Sequence, residues 1–130
     1  FKNIKFNLSK FATSKKNVLR GFHGDSKSWK LVSCVKGKVL NVVVDYRKDS
    51  KKYLKYSTFV LSDKNKLAIL IPPGFLNSYL CLSKSCIYSY DYSFKGNYND
   101  VKEQFSIKWN DKRINYKWPI KKPILSKRDK

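Results

Sequence analysis

The stretch that decides the fold is Trp29–Asp45, which reads WKLVSCVKGKVLNVVVD. Its two halves, Trp29–Val35 and Lys38–Asp45, are rich in the β-branched residues that strands favour. Lys36-Gly37 lies between them and is a turn signal. The stretch therefore predicts two consecutive strands that are joined by a tight turn.

Similar runs of β-branched and aromatic residues recur along the rest of the chain, and turn signals such as Pro72-Pro73-Gly74 separate them. The further predicted strands are Tyr53–Leu61, Lys66–Ile71, Ser85–Phe94 and Gln104–Trp109. No stretch carries a helical period. Many short strands with compact turns predict an all-β sandwich or barrel, and a jelly roll is one common way to close it.

The length and charge of the chain bound its class. At 130 residues it is long enough for one compact domain, which we place at residues 1–130. The formal net charge is +20, but the lysines are spread through every predicted turn and strand edge. A nucleic-acid site needs clustered cations. The pattern favours a solvated, lysine-rich surface, and a nucleic-acid-binding β module is kept as the alternative.

The cysteines and the histidine exclude metal and disulfide frameworks. Cys34, Cys81 and Cys86 form no Cys-x-x-Cys pair, so free thiols in a reducing, cytoplasmic compartment fit best. The only histidine is His23, and a metal site built on several imidazoles cannot be assembled from it. We therefore expect no metal.

Further enzyme classes are excluded by motifs that the sequence lacks. There is no glycine-rich phosphate loop of the Rossmann or Walker type and no Gly-x-Ser-x-Gly elbow. The longest apolar run, Leu67–Leu76, is broken by two prolines and falls far short of the roughly 20 residues that a membrane helix requires. The sequence thus argues against dehydrogenase, kinase, serine-hydrolase and membrane-spanning classes.

Short motifs from about Phe6 to the end of the chain occur together in one order. They are Arg20–His23, Lys30–Val32, Gly37–Val39, Val44–Arg47, Ile71–Phe75, Trp109–Asp111, Trp118–Pro119 and Leu125–Asp129. In this order they resemble the dTDP-4-dehydrorhamnose 3,5-epimerase family of dimeric bacterial cupins. The resemblance implies a cupin jelly roll, a homodimer, a nucleotide-diphosphate sugar substrate and no cofactor. Family members carry a further N-terminal segment, which is expected to be missing here.

The resemblance also implies catalytic roles. His23 is the base that removes the proton beside the C4 ketone, and Asp129 orients and charges its imidazole. Lys30 stabilises the enolate that forms. Tyr90, which lies seven residues after Ser83, is the acid that returns a proton to the opposite face of the sugar. The neighbours Tyr88 and Tyr92 share its strand face, so the choice of Tyr90 rests on spacing.

Two further residues are assigned to substrate contact. Arg20 matches an arginine of the family beside the histidine, and a guanidinium suits a diphosphate or a sugar oxygen. Asn77 stands where the family has a second histidine. Gly24-Asp25 after His23 and the short loop to Lys30 are more similar to the branch that epimerises GDP-4-keto-6-deoxy-heptoses.

The expected reaction is inversion at C3, C5 or both, with a nucleotide-sugar 3,4-ketoisomerase as the enzymatic alternative.

Overall fold

The computed structural model describes residues 3–96 and 104–130, which form β-strands and no α-helix. The strands, numbered in chain order, have the following bounds. They are β1 Leu8–Lys15, β2 Val18–Gly24, β3 Trp29–Lys36, β4 Lys38–Asp45, β5 Tyr56–Ser62, β6 Ala68–Ile71, β7 Phe75–Cys81, β8 Ser85–Ser93, β9 Phe105–Ser106 and β10 Ile124–Leu125. A 3-10 turn, Lys127–Asp129, follows β10.

The strands form two sheets. The smaller sheet has the order β1-β8-β3-β6, and the larger has the order β10-β2-β7-β4-β5, with β9 also paired to β2. Neighbouring strands are antiparallel, except that β10 runs parallel to β2. Two packed antiparallel sheets with crossing connections are the architecture of a jelly roll. The predicted all-β fold is confirmed.

Two apolar clusters hold the sheets in place. The first lies between the sheets and joins side chains from both, including Val32, Leu61 and Tyr88. The second packs on the other face of the larger sheet, where Phe22 and Leu76 contact residues of the C-terminal segment. The C-terminal segment therefore covers the larger sheet, and β2, β4 and β7 are buried on both of their faces.

The structure confirms some predicted strands and corrects others. The strands that meet at Gly37 are confirmed as β3 and β4, and those predicted at Lys66–Ile71 and Ser85–Phe94 as β6 and β8. The prediction for Tyr53–Leu61 begins too early, because Leu54 has a φ of 68° and lies in a turn. The prediction for Gln104–Trp109 is wrong beyond Phe105–Ser106, since the chain there follows the sheet surface without a regular ladder.

Four strands were not predicted, namely β1, β2, β7 and β10. In β7, every residue from Leu76 to Cys81 is buried. A strand that is covered on both faces shows no alternation of polar and apolar residues. In β2, Gly21 and Gly24 weaken the strand signal.

The cysteines lie in the interior as free thiols. Cys34, Cys81 and Cys86 are all buried, and none forms a disulfide. Burial raises the pKa of Cys86 to about 12, with nearby Cys81 adding to the effect. Thiols with such a raised pKa are inert packing groups near neutral pH. Within residues 3–96 and 104–130 there is no helix with the length and apolar character needed to cross a membrane.

Candidate active site

A cavity of about 480 Å³ opens among residues of both sheets and of the C-terminal segment. Its lining contains every residue that the sequence analysis selected as a site residue: Arg20, His23, Lys30, Asn77, Tyr90 and Asp129. The lining also contains residues that the sequence analysis did not select: Lys10, Ala12, Asp25, Tyr79, Tyr92, Gln104, Ser126 and Arg128. The structure thus brings the selected residues together, while their catalytic roles stay predictions.

A bulge in β2 aims His23 at the cavity. Arg20 pairs with Tyr79 and His23 pairs with Asn77, so β2 has one residue more than β7 between these two pairs. The extra residue requires Gly21, whose φ is +116° and whose position would place a Cβ 2.6 Å from the backbone oxygen of Asn77. The peptide bond between Gly21 and Phe22 is cis. Only glycine fits this close approach of two backbones.

The C-terminal end of the chain places Asp129 beside His23. Strand β10 pairs with the start of β2, and the 3-10 turn that follows carries Asp129 to the bulge. The Asp129 Oδ1 atom lies 2.5 Å from Nε2 of His23, although the two residues are 106 positions apart. Its Oδ2 atom accepts hydrogen bonds from the backbone N–H of Gly21 at 3.2 Å and from the hydroxyl of Ser126 at 3.1 Å.

This environment keeps Asp129 ionised. Burial by itself raises the pKa of the Asp129 carboxyl, but the hydrogen bonds from His23, Gly21 and Ser126 outweigh it and lower the pKa. The carboxylate engages Nε2 of His23, so Nδ1 is the ring nitrogen that is left to take a proton from a ligand. The His23 side chain is 23% exposed, which leaves it within reach of the cavity. The pair has the geometry of an oriented general base.

Lys30 supplies a buried positive charge to the same cavity. Its Nζ atom lies 5.9 Å from the ring centroid of Tyr92, and it forms no salt bridge within the described part of the chain. Burial lowers the pKa of Lys30, the carboxylate of Asp25 raises it, and Arg128 lowers it again. Since the ammonium has no ion-pair partner there, it is placed to meet an anionic group of a ligand.

Asp25 is held rigidly beside Lys30. It is 3% exposed, and its Oδ1 atom accepts the backbone N–H groups of Lys27 at 2.9 Å and Ser28 at 2.6 Å. This short turn occupies the place of the longer loop that the family resemblance implies. The turn therefore sets both the position of Asp25 and the start of β3, which carries Lys30.

Tyr90 lies in a row of aromatic rings along β8. Its ring centroid is 4.8 Å from that of Tyr88 in an edge-to-face contact and 5.7 Å from that of Tyr92 in a stacked contact. Burial raises the pKa of Tyr90 well above its usual range, and nearby Tyr79 and Tyr88 raise it further. Tyr90 is consequently held in the protonated form, as a proton donor must be before it acts.

Arg20 and Asn77 line the cavity in different ways. The Nε atom of Arg20 donates to the hydroxyl of Ser14 at 3.0 Å, which holds the guanidinium at the cavity wall. Asn77 is buried, and its amide is engaged in a closed network. It accepts from Asn41 at 2.8 Å and donates to Tyr88 at 3.1 Å, and Tyr88 donates to Asn41. The amide of Asn77 thus stabilises the wall of the site, and its assignment to substrate contact stays a prediction.

The charge of the cavity favours an anionic ligand. The basic side chains of its lining are Lys10, Arg20, Lys30 and Arg128, against the two carboxylates of Asp25 and Asp129. Asp129 is matched by His23, so the remaining field is positive. A positive cleft concentrates and steers phosphate-bearing small molecules.

Some of the site residues that the sequence analysis missed have a recognisable signal in the sequence, and others have none. Tyr92 stands in the Tyr88, Tyr90 and Tyr92 alternation, and Arg128 directly precedes Asp129. Lys10 belongs to β1, which was not predicted at all. Tyr79 lies in β7, the strand without alternation. Lys10 is distinguished only by the family resemblance, in which Leu8-Ser9-Lys10 stands at a pocket-lining stretch, and nothing in the sequence distinguishes Tyr79 from the other tyrosines of the chain.

The chain is similar in sequence to known proteins of one family. The family model of dTDP-4-dehydrorhamnose 3,5-epimerase matches residues 2–130. The enzyme of that name from Shigella flexneri is 35% identical over 131 residues, a match that covers 98% of this chain and 71% of the relative. This chain is therefore shorter than the relatives it matches.

Solved structures show the same fold. A dTDP-6-deoxy-D-glucose-3,5-epimerase from Legionella pneumophila, in complex with dTDP-4-keto-L-rhamnose, has a TM-score of 0.89 and 32% identity, over 98% of this chain and 68% of that one. A dTDP-4-dehydrorhamnose 3,5-epimerase from Bacillus anthracis, with TDP and pyrophosphate bound, has a TM-score of 0.90 and 28% identity, over 97% and 73%.

Proposed function

Because this chain belongs to the dTDP-4-dehydrorhamnose 3,5-epimerase family, we propose that it inverts C3, C5 or both in a nucleotide-linked 4-keto-6-deoxy sugar. The family and the isomerase class implied by the sequence motifs are confirmed by these matches. The observation that carries the proposal is the His23–Asp129 pair, which faces the same cavity as Lys30 and Tyr90. The reaction needs no metal or organic cofactor, because the 4-keto group of the substrate is itself the electron sink.

The first step is removal of the proton beside the ketone. Nδ1 of His23 takes this proton, and the Asp129 carboxylate stabilises the imidazolium that results. The electrons of the broken C–H bond move to the C4 oxygen and form an enolate. The ammonium of Lys30 faces that developing charge, and the low polarity of its buried surroundings strengthens the attraction.

The second step is return of a proton to the opposite face of the ring. If His23 returned its own proton, the original configuration would be restored. A second donor on the other side is therefore required, and Tyr90 is the protonated acid that the cavity offers. After the transfer, the Tyr90 phenolate regains a proton from water, and His23 loses its proton to water.

The nucleotide diphosphate is the part of the substrate that the basic lining recognises. Arg20, Lys10 and Arg128 contribute positive charge around the opening where a diphosphate is to be placed. The Legionella and Bacillus structures hold dTDP-4-keto-L-rhamnose and TDP with pyrophosphate, respectively. A dTDP-linked sugar is thus the first substrate to test. A GDP-linked sugar is the second, since Gly24-Asp25 is similar to the GDP-heptose branch.

We assign the enzyme a homodimeric state, through the outer face of the smaller sheet. Two cross-strand rows lie on this face, Ser9, Asp91, Leu31, Leu70 in the first and Phe11, Ser89, Ser33, Ala68 in the second. Neither row contains a lysine or an arginine, although the chain has 29 of them. Phe11 is 67% exposed. A partly apolar face whose two rows contain no cation, on so basic a protein, is suited to a second copy, because two lysine-rich faces repel each other.

The cytoplasm is the compartment that we propose for this reaction. Its support is chemical, since the three cysteines remain unpaired thiols within the interior. An oxidising compartment favours disulfides in secreted domains of this size. Expression with a fluorescent fusion and fractionation of the host cells tests this assignment.

Deuterium exchange tests the proposed function. The protein is incubated in D₂O with dTDP-linked and, separately, GDP-linked 4-keto-6-deoxy sugars, and deuterium entry at C3 and C5 is followed by NMR. Wild-type protein should incorporate deuterium and invert at least one of these carbons. His23→Asn should abolish both, since it removes the base while occupying a similar volume.

The control variants separate this reading from its alternatives. Asp111→Asn changes a partly exposed carboxylate that pairs with Arg113 outside the cavity, and it should leave the exchange rate unchanged. If folded wild-type protein exchanges no carbon-bound proton of either sugar, the epimerase proposal is wrong. Migration of the keto group from C4 to C3 would instead identify a ketoisomerase.

A further inference from the structure

Tyr79 carries a buried hydroxyl that has no hydrogen-bond partner among the described residues. Its side chain is 1% exposed and contributes to the lining of the cavity. Its hydroxyl forms no hydrogen bond within residues 3–96 and 104–130. Burying a hydroxyl without a partner costs free energy, so buried tyrosine hydroxyls are usually bonded. Phenylalanine would fill the same volume without that cost.

The ring of Tyr79 is fixed against the aromatic row that contains Tyr90. It stacks on Tyr88 with a centroid distance of 3.8 Å and an interplanar angle of 13°, and Tyr88 in turn contacts the edge of Tyr90. Burial raises the pKa of Tyr79, while nearby Tyr90, Arg20 and Ser14 lower it. These groups therefore lie close around the Tyr79 hydroxyl.

The proposed reaction creates a need for a hydrogen-bond donor at this place. When Tyr90 gives its proton to the substrate carbon, its oxygen becomes a phenolate. Burial and the neighbouring tyrosines make that phenolate unfavourable, as the raised pKa of Tyr90 shows. A hydrogen bond to a charged oxygen is stronger than one between neutral groups. Any nearby donor that is not already engaged will therefore speed the transfer.

We propose that Tyr79 is a positioning residue for Tyr90, and that its hydroxyl donates a hydrogen bond to the Tyr90 phenolate as it forms. This inference rests on the proposed epimerase function. A tyrosine hydroxyl both donates and accepts. As the proton leaves Tyr90, the O–H of Tyr79 turns to the phenolate oxygen. Tyr79 keeps its own proton throughout, and it reaches the substrate only through Tyr90 because its hydroxyl is buried.

Tyr79→Phe tests the inference because it removes one oxygen and keeps the stacked ring. Deuterium incorporation beside the ketone depends on His23 and should stay within about threefold of the wild-type rate. Inversion depends on Tyr90 and should fall at least about tenfold, with KM nearly unchanged. The measurement follows incorporation and inversion in the same NMR time course.

A second prediction from the same contacts separates a role in catalysis from a role in packing. Since the Tyr79 hydroxyl has no partner in the described structure, Tyr79→Phe should leave Tm unchanged or raise it. Tyr88→Phe is the matched control, because it removes a hydroxyl that bonds both Asn41 and Asn77. Tyr88→Phe should lower Tm and slow incorporation and inversion together.

A double-mutant cycle shows whether Tyr79 acts through Tyr90. If it does, the Tyr79→Phe/Tyr90→Phe protein should invert as slowly as Tyr90→Phe alone. Additive losses in the double variant, equal losses of incorporation and inversion in Tyr79→Phe, or no change in either would overturn the inference. Absence of exchange in the wild-type protein would instead overturn the epimerase function itself, and this inference with it.

Discussion

At the scale of single residues, the tautomer of His23 depends on the group that contacts its Nε2 atom. Asp129 accepts a hydrogen bond from Nε2–H of His23, and Nδ1 is then the unprotonated nitrogen of the neutral imidazole. An asparagine in place of Asp129 presents an amide that donates as well as accepts. It therefore allows the opposite tautomer, in which Nδ1 carries the proton and cannot act as a base.

Asp129→Asn should consequently lower kcat for deuterium incorporation by about 100-fold or more, while substrate binding changes little. The comparison is with Asp111→Asn, which removes the same charge at a partly exposed position outside the cavity. A loss of less than about threefold in Asp129→Asn would show that the pair is structural.

The charge of Lys30 gives the reaction an alkaline limit. Lys30 must be protonated to stabilise the enolate, and burial lowers its pKa. Activity should therefore decline with rising pH at a lower pH than for an ordinary lysine, and before Tyr90 ionises, because the pKa of Tyr90 is raised. The pH dependence of kcat measures this limit.

The neighbours of Lys30 should move that limit in opposite directions. Asp25 raises the pKa of Lys30 and Arg128 lowers it. Asp25→Asn keeps an oxygen for the two backbone N–H groups but removes the charge, so it should shift the alkaline limb to lower pH. Arg128→Gln should shift it to higher pH. Shifts of the same sign in both variants would show that the limb belongs to another group.

At the scale of elements, β2 carries both the bulge and the base. Gly21→Ala should place its Cβ against the backbone oxygen of Asn77, which cannot move without breaking the pairing of β2 with β7. We expect a loss of stability of several kcal/mol, since positive φ strain and backbone overlap add. The enzymatic activity should be lost as well, because the bulge positions His23.

Gly96→Ala is the matched control for the bulge. Gly96 also has a positive φ, of 79°, but a Cβ there meets no atom of residues 3–96 and 104–130 within 4 Å. Gly96→Ala should lower the free energy of unfolding by only about 1 kcal/mol, which is the cost of the backbone conformation alone. Equal losses of Tm in the two variants would contradict the close approach at Gly21.

The turn after β4 gives the fold an acid-sensitive contact. Three groups of Arg47, its backbone N–H, Nε and Nη2, donate hydrogen bonds to the Asp45 carboxylate. The hydroxyl of Ser50 donates a fourth. These bonds, chiefly those from the Arg47 side chain, lower the pKa of Asp45 to about 2. A lowered pKa stabilises the fold above the unfolded-state pKa of about 4, and this contribution is lost as pH falls toward 2.

Asp45→Asn should therefore lower the free energy of unfolding by roughly 2 kcal/mol at pH 7 and by little at pH 2. Urea titrations across this pH range measure the difference. Asp49→Asn removes an exposed carboxylate from the same turn and should have a small effect at both pH values. A pH-independent loss in Asp45→Asn would mean that shape and not charge matters there.

At the scale of the whole molecule, the distribution of lysines marks one face as different. Phe11→Lys places a charge on the outer face of the smaller sheet, on its edge strand β1, and a dimer formed through that face would bring two such charges together. Analytical ultracentrifugation should show a dimer Kd at least about tenfold higher than for wild type. Val60→Lys, at an exposed position of β5 in the other sheet, should leave the Kd unchanged.

Sequence reasoning succeeded where the information is local or is carried by a motif. Trp29–Asp45 predicted two strands and their turn, because strand preference depends on neighbouring residues and a glycine at the turn. The ordered motifs selected His23, Lys30 and Tyr90, which the fold brings to one cavity. Sequence reasoning failed for β7, because a strand that is buried on both faces lacks the alternation of polar and apolar residues that marks a strand.

By itself, the sequence determined the all-β class, the family and the set of residues to consider for catalysis. Only the tertiary structure decided which of them meet. Asp129 reads as one charge in a basic tail until β10 pairs with β2 and brings it to His23. Tyr79 resembles any other tyrosine until stacking on Tyr88 fixes its ring in the wall of the cavity that Tyr90 also lines. The physical reason is that such contacts join residues distant in the chain, and their free energy depends on strand register and burial, which local preference does not encode.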